Sequence, residues 1–280
     1  MSTRPGKLFV VGTPIGNLSD LSRRAGEVLA AVDVIAAEDT RITRRLLDHL
    51  GISGKLVSYR EETEHRLSQK LVADLLDGKG VALVSDAGTP CISDPGYRLV
   101  KAASEAGIEV VTIPGPSAVV ALLSVSGLPT DRFAFEGFPP VRSGQRRAFL
   151  QSLRGSSRTV VFYESPRRVI DLLDDLSDVL SNPPVAVGRE LTKMHEEVLR
   201  GTAREVAEQL RAQGTRGEFV VAVYIEAAAA HALTGDALAE EVRRLLEEGL
   251  HVRDIALRLK AQGVSRREVY AAARLTDEAE

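Results

Sequence analysis

Through most of the chain, short apolar runs alternate with amphipathic segments of helical period. Residues 8–11, 34–37, 55–58, 81–84 and 110–113 read as buried strands, each short, aliphatic and bounded by Gly, Pro, Ser or Asp. Helical patterns follow them at 22–31, 40–50, 64–76, 97–106 and 118–124, with Asp20 or Ser22 and Asp39 or Thr40 available as caps. Strand–helix alternation of this kind predicts a mostly parallel sheet. Gly127-Leu128-Pro129 marks a predicted boundary. Beyond it come strands at 133–136, 159–163, 185–189, near Val198 and at 219–225, and helices at 145–153, 167–180 and one opened by Thr202 with Glu205 three residues on. The connections are shorter here, which predicts some antiparallel pairing. An Ala-rich linker at 227–232 leads to purely helical signals at 237–248, 252–262 and 266–275, with Asp236 and Ser265 as caps and Gly263-Val264-Ser265 as a joint. These fit either a small helix-turn-helix module or a generic three-helix appendage. The predicted division is thus 1–127, 128–228 and 233–280, an α/β fold with a helical tail.

Three strand ends carry loops of the same character: 12–17, 85–96 and 114–117. The central one, Ser85-Asp86-Ala87-Gly88-Thr89-Pro90-Cys91-Ile92-Ser93-Asp94-Pro95-Gly96, has twelve residues, whereas strand-to-helix connections usually run about 2–6. Pro and Gly prevent it from continuing either neighbour. A parallel sheet brings such ends to one edge, where open α/β sheets hold ligands. Gly, Pro, Ser, Thr and Asp there expose main-chain N–H and C=O groups with little side-chain bulk, which predicts a ligand held by backbone and shape.

The 280 residues are 44% apolar and 27% charged, enough for a real core, and the net charge of −3 excludes a polycation. By count 29 of the 36 basic residues are Arg, a bidentate phosphate ligand, although Arg-favouring codon usage explains the total equally well. Eight of them lie between Arg132 and Arg168 against two acids, Glu136 and Glu164, among Phe138, Phe149, Phe162 and Tyr163. Cys91 is the single cysteine and the five His show no metal-ligand spacing, so neither a disulfide nor a metal is expected. The absence of a signal-peptide core and of a long apolar run predicts a cytoplasmic protein without a membrane span. No G-x-G-x-x-G, G-x-x-x-x-G-K-[ST] or G-x-S-x-G is present, which disfavours nicotinamide, P-loop and serine-hydrolase chemistry.

Six segments carry a resemblance: Gly12-Thr13-Pro14-Ile15-Gly16-Asn17-Leu18, Ala37-Glu38-Asp39-Thr40-Arg41, the run from Ser85 to Gly96, Pro114-Gly115-Pro116-Ser117, Phe162-Tyr163-Glu164-Ser165-Pro166-Arg167-Arg168 and Gly188-Arg189-Glu190-Leu191-Thr192-Lys193. In this order and spacing, over about residues 7–226, they resemble the bacterial ribosomal RNA small subunit methyltransferase I family. The resemblance implies a two-domain, tetrapyrrole-methylase-like fold (a class III methyltransferase) with a small C-terminal helical module. It implies transfer of a methyl group from S-adenosylmethionine to the ribose 2′-hydroxyl of a cytidine in 16S rRNA. The implied partners are 16S rRNA and the 30S subunit, and the implied assembly is a homodimer. Gly88, Thr89, Pro90 and Ile92, with Pro14, Ser117 and Ala118, would form the cofactor pocket. Thr89 replaces the acid of the Gly-Asp-Pro found in tetrapyrrole methylases. Phe162 and Tyr163 would cover the pocket, or else pack in the core.

A ribose hydroxyl needs a base or polarising neighbour. Glu38, Asp39 and Glu190 are the candidates, with Arg41 and Arg189 as orienting partners; helix capping competes for Asp39, and a surface pair with Lys193 competes for Glu190. Arg142, Arg146, Arg147, Arg167, Arg168 and Arg189 are the candidate RNA contacts, the first three on a loop over the substrate; a solvated basic helix face is the alternative. A porphyrinoid methylase and a nucleic-acid-binding regulator using the tail are the rival functions.

Overall fold

A computed structural model describes residues 5–227, 235–260 and 264–277. Five parallel strands, β1 (Lys7–Val11), β2 (Val34–Ala37), β3 (Leu56–Ser58), β4 (Val81–Val84) and β5 (Glu109–Ile113), form one sheet in the order β3-β2-β4-β1-β5. The crossover helices are α1 (Arg23–Ala31), α2 (Thr40–His49), α3 (Glu64–Leu76) and α4 (Tyr97–Glu105). Strands buried on both faces must be apolar at every position. In β4, Val81 and Leu83 face a core shared with Leu67, Leu71 and Leu99, while Ala82 and Val84 face one shared with Ala25, Leu29 and Leu47. The caps follow the sequence signals. Ser22 accepts the N–H of Ala25, and Asp39 that of Arg41.

The second sheet comprises β6 (Phe133–Phe135), β7 (Arg158–Glu164), β8 (Pro184–Arg189), β9 (Glu197–Thr202) and β10 (Phe219–Ile225), in the order β6-β7-β10-β8-β9. Only the β6–β7 pair is parallel. One face packs on α6 (Ser143–Ser152), α7 (Val169–Val179) and α8 (Ala203–Gln213). The other face packs on α5 (Ala118–Ser126): Val161, Ala186, Val220 and Ala222 meet Val119, Leu122 and Leu123. The helix that follows the last strand of the first sheet thus seals the second. Gly127 ends it in the left-handed conformation, φ 75°, which glycine adopts without a Cβ penalty. Thr202 and Glu205 form the expected capping box.

Three further helices, α9 (Asp236–Glu247), α10 (Val252–Lys260) and α11 (Arg266–Asp277), enclose their own core of Leu238, Val242, Leu245, Ile255, Leu259, Val264 and Val269. Ser265 accepts the N–H of Glu268 while Glu268 accepts that of Ser265. Linker residues 228–232, the Asp236 side chain and Gly263 lie outside the described residues. Among the described residues no helix is long and apolar enough to cross a membrane.

Candidate active site

The strand order makes β4, β1 and β5 neighbours, so their C-terminal loops converge. Thr13 and Gly88 exchange both backbone hydrogen bonds, at 2.8 and 3.1 Å. The Thr13 hydroxyl also donates to the carbonyls of Ser85 and Gly88, at 3.2 and 3.3 Å. Gly12 and Gly115 pack backbone to backbone: a Cβ at Gly12 would lie 2.7 Å from Gly115. The 12–17 loop is therefore tied to both of the others.

The 85–96 loop is strained. Cys91 and Ser93 adopt φ of 73° and 65°, positive values that non-glycine residues rarely take and that concentrate at binding sites. Gly96 is required because a Cβ there would meet Cys91 Sγ at 2.7 Å and Leu83 at 2.8 Å. Glu64, buried at the start of α3, accepts the N–H groups of Gly96 and Arg98 and so caps α4 from another helix. Burial pushes the Cys91 thiol up in pKa.

A cavity of about 410 Å³ opens between this loop cluster and the ends of β7 and β10, within the usual range of small-molecule sites, roughly 300–1,000 Å³. Its first wall is Ile15, residues 86–89, Ile92, Ser93, Ser117 and Ala118; its second includes Phe138, Tyr163, Glu164, Leu191 and Phe219. Glu38, Asp86 and Asp94, three of its five acidic residues beside Glu164 and Glu218, also line it. Glu38 accepts the N–H of Asp86, and Asp86 that of Asp39, a clasp between the ends of β4 and β2. Burial is the main cause that raises the pKa of all three. Mutual repulsion adds to it: Asp94 and Asp86 act on Glu38, and Asp86 acts on Asp94.

Of the expected cofactor residues, Gly88, Thr89, Ile92, Ser117 and Ala118 line the cavity. Pro14 and Pro90 stand beside it in the same loops and do not line it. Phe162 corrects the expectation. It is fully buried, in the core against α6 and α7, because adjacent strand residues point to opposite faces. Tyr163 is the residue that reaches the cavity.

Of the expected catalytic groups, only Glu38 lines the cavity. Asp39 caps α2 and pairs with Arg41, whose guanidinium holds its pKa well below the usual range. The Arg41 side chain is itself 82% exposed. Glu190 accepts from Lys193 at 2.9 Å and from the Glu218 N–H at 2.8 Å, which lowers its pKa and braces the turn after β8.

The basic cluster also needs correction. Arg142, Arg146 and Arg147 are not on a loop over the substrate: Arg142 precedes α6, and the other two lie in its first turns. Arg146 is buried and pairs with Asp175 at 2.7 Å. Arg147 pairs with Asp175 and Asp178, and Arg168 with Glu164. Arg189 donates to the Arg216 carbonyl and lies over the Phe219 ring. Neutralising acids on α7 were invisible in a count confined to residues 132–168. Among the described residues Arg142 and Arg167 remain exposed without an ion-pair partner.

Asp86 and Asp94, which the sequence suggested as loop-shaping residues, and Glu164, Leu191 and Phe219 were missed as cavity-lining groups.

The profile of the family described as tetrapyrrole (corrin/porphyrin) methylases matches residues 7–207. A Halalkalibacterium halodurans protein named ribosomal RNA small subunit methyltransferase I is 49% identical over 218 residues, covering 78% of this chain and 75% of its own. Proteins of that name from Escherichia coli O157:H7 and Mycobacterium tuberculosis are each 44% identical over 95% of this chain and over 93% and 94% of theirs. Among solved structures, a Thermus thermophilus uroporphyrin-III C-methyltransferase complexed with S-adenosyl homocysteine has a TM-score of 0.54 at 20% identity, covering 78% of this chain and 97% of its own. Diphthine synthase has a TM-score of 0.59 at 15% identity, covering 79% of this chain and 90% of its own. At such identities the structural likeness is one of fold; with the profile match and the curated relatives, the chain belongs to the tetrapyrrole methylase family, in the branch of ribosomal RNA small subunit methyltransferase I.

Proposed function

We propose that this chain is an S-adenosylmethionine-dependent methyltransferase of small-subunit ribosomal RNA that methylates the ribose 2′-hydroxyl of a cytidine in 16S rRNA. The observation that carries the reading is the fastening of the 85–96 and 114–117 loops to the 12–17 loop beside one cavity, through Thr13–Gly88 and Gly12–Gly115. It is supported by relatives of that name at 44–50% identity.

The residues present fit such a cofactor. The 86–89 backbone, Ile92, Ser117 and Ala118 offer polar main-chain groups and little bulk. The half-buried Glu38, Asp86 and Asp94 repel one another, a cost that a cationic ligand offsets. When bound, S-adenosylmethionine supplies an electrophilic methyl group on a positively charged sulfur. The chain supplies position, which can lower a barrier by up to about 7–11 kcal/mol, and a proton acceptor. Glu38 is the candidate base: it lines the cavity, its raised pKa makes it a better acceptor, and only its Oε2 has a protein hydrogen bond among the described residues. Oε1 is then the atom that takes the hydroxyl proton. Arg142 and Arg167 are the proposed phosphate contacts at the rim. The proposed setting is the cytoplasm, with the 30S subunit as substrate and a homodimer as the working form.

Incubation with methyl-labelled S-adenosylmethionine and, in parallel, assembled 30S subunits, free 16S rRNA and a porphyrinogen tests the reading. Label in a ribose of 16S rRNA, mapped by alkaline-resistant linkage, is the expected outcome. Label in the porphyrinogen alone would replace the reading by tetrapyrrole methylation.

A further inference from the structure

The charges of the three-helix tail are sorted by helix. On α9 the exposed Glu240, Glu247 and Glu248 outnumber the exposed Arg243 and Arg244, and Arg244 is paired with Glu241 and Glu248. On α11 three arginines, Arg266, Arg267 and Arg274, are exposed, and among the described residues none of them has an ion-pair partner. The acid in the first turn, Glu268, is spent on the cap. Its Oε2 accepts the Ser265 N–H at 2.8 Å, while Ser265 Oγ accepts the Glu268 N–H at 3.3 Å.

The three arginines share a face. At 3.6 residues per turn, positions 266, 270 and 274 stack in one row and 267 stands beside it. Val269, Ala272 and Ala273 are buried in the tail's own core, which turns that row outward. It runs about 12 Å from 266 to 274 at 1.5 Å per residue. Tyr270, within the row, offers no open ring: Arg266 lies over it at 5.3 Å, and it packs against the tail core. Arg266 and Arg267 also stand in the first turn of α11, at the positive end of the helix dipole. Cations there cost stability, and an anion laid against them offsets that cost.

We infer that this face of α11 docks on the phosphate backbone of a paired RNA helix of the small subunit, away from the target nucleotide. The inference rests on the RNA reading above. The planar fork of Arg suits phosphate. Paired RNA hides its bases in a deep, narrow major groove and is recognised by shape, phosphates and 2′-hydroxyls. An unpaired strand is gripped by open aromatic rings together with cations, and this face has only the cations. Phosphate contacts fix position without reading sequence. Among the described residues no part of α11 lines the cavity, so the contact acts on capture and register of the subunit, with no effect on donor binding.

The test uses the full-length protein, comparing wild type with Arg266→Ala/Arg267→Ala/Arg274→Ala and with Arg266→Lys/Arg267→Lys/Arg274→Lys. The measurements are Kd for an RNA duplex of arbitrary sequence and for an unpaired RNA of equal length across a salt series, the KM for 30S subunits, and the calorimetric Kd for S-adenosylmethionine. In the alanine variant, duplex binding is expected to weaken about tenfold or more, with a log–log salt slope shallower by about two to three. Subunit KM should rise, donor Kd should hold, and the melting temperature should stay equal or increase, since two cations leave the positive end of α11. The lysine variant should keep most of the duplex affinity, because charge is retained. Unchanged duplex Kd and subunit KM in the alanine variant overturn the inference. So does a loss confined to unpaired RNA, which would make α11 a single-strand site, and so does a loss for the subunit alone, which would set a ribosomal protein against it. Duplex binding by the wild type without methyl transfer to 30S subunits would count against the methylation reading and leave the docking face standing.

Discussion

Glu38, Asp86 and Asp94, three of the five acidic residues on one small cavity, pull the protein in opposite directions as pH changes. Burial and repulsion raise the pKa of Glu38, Asp86 and Asp94 in the folded state. A group so raised holds its proton more tightly folded than unfolded. Its contribution to stability is full below the unfolded value, near pH 4, and is lost as pH rises through the folded value. The same ionisation creates the field that attracts a cationic sulfur. Without ligand, these groups therefore destabilise the fold on going from pH 4 towards neutrality, whereas affinity for S-adenosylmethionine rises over that window. S-adenosyl homocysteine lacks the sulfonium charge, so the ratio of the two affinities should increase as pH rises from about 4 through the raised folded values. Thermal-shift or calorimetric titration of both ligands reads this directly, and a pH-independent ratio would refute it. At the neighbouring position, Glu38→Gln should lower kcat about 10²–10⁴-fold, the usual range for a general base, with little change in subunit KM. Asp39→Asn and Glu190→Gln should keep the chemistry, since those carboxylates are committed to Arg41 and Lys193.

At the scale of elements, the strand-end loops act as one body. Gly12→Ala forces a methyl to within 2.7 Å of the Gly115 backbone, and backbone cannot rotate away as a side chain can. A loss of about 1–3 kcal/mol is expected from such overpacking, together with weakened donor binding, while Gly26→Ala in α1, with nothing within 4 Å, should be neutral or stabilising. Denaturant melts of the two variants make the comparison. The sheet elements were legible because buried parallel strands are short apolar runs, and three Gly- and Pro-rich loops at their ends stand out against that background. Side-chain allegiance was not legible. Phe162 and Tyr163 look alike in sequence but fall on opposite faces of β7. The Arg146 partner, Asp175, is 29 positions away on α7. This pair changes what a charge experiment means. Arg146→Ala leaves Asp175 short of a buried partner and should cost about 3–5 kcal/mol of stability, so lost RNA methylation in it reports folding. Arg142→Ala/Arg167→Ala removes two exposed charges. It should raise the subunit KM, with a salt slope shallower by about one per lost phosphate contact, at unchanged melting temperature.

On the scale of the whole molecule, two sheets share α5 and one cavity, while α9–α11 keep a separate core. The cavity walls come from residues 15–220. Among the described residues nothing in α9–α11 lines it. On the proposed function the tail is dispensable for holding the donor and acts in engaging the large substrate. Its charges are arranged accordingly: Arg253, Arg258, Arg266 and Arg267 are exposed on α10 and α11, with Arg266 over the Tyr270 ring at 5.3 Å, whereas on α9 Arg244 is occupied by Glu241 and Glu248. Deletion of residues 232–280 should leave the donor Kd and the melting of the remaining body unchanged. It should raise the KM for 30S subunits more than that for a short RNA carrying the target nucleotide, because only the subunit extends far enough to meet α10 and α11. A protein whose purpose was nucleic-acid binding through the tail would lose all RNA association on deletion and keep no methyl transfer. Equal KM values for truncated and full-length protein on both substrates would show instead that the tail plays no part in substrate capture.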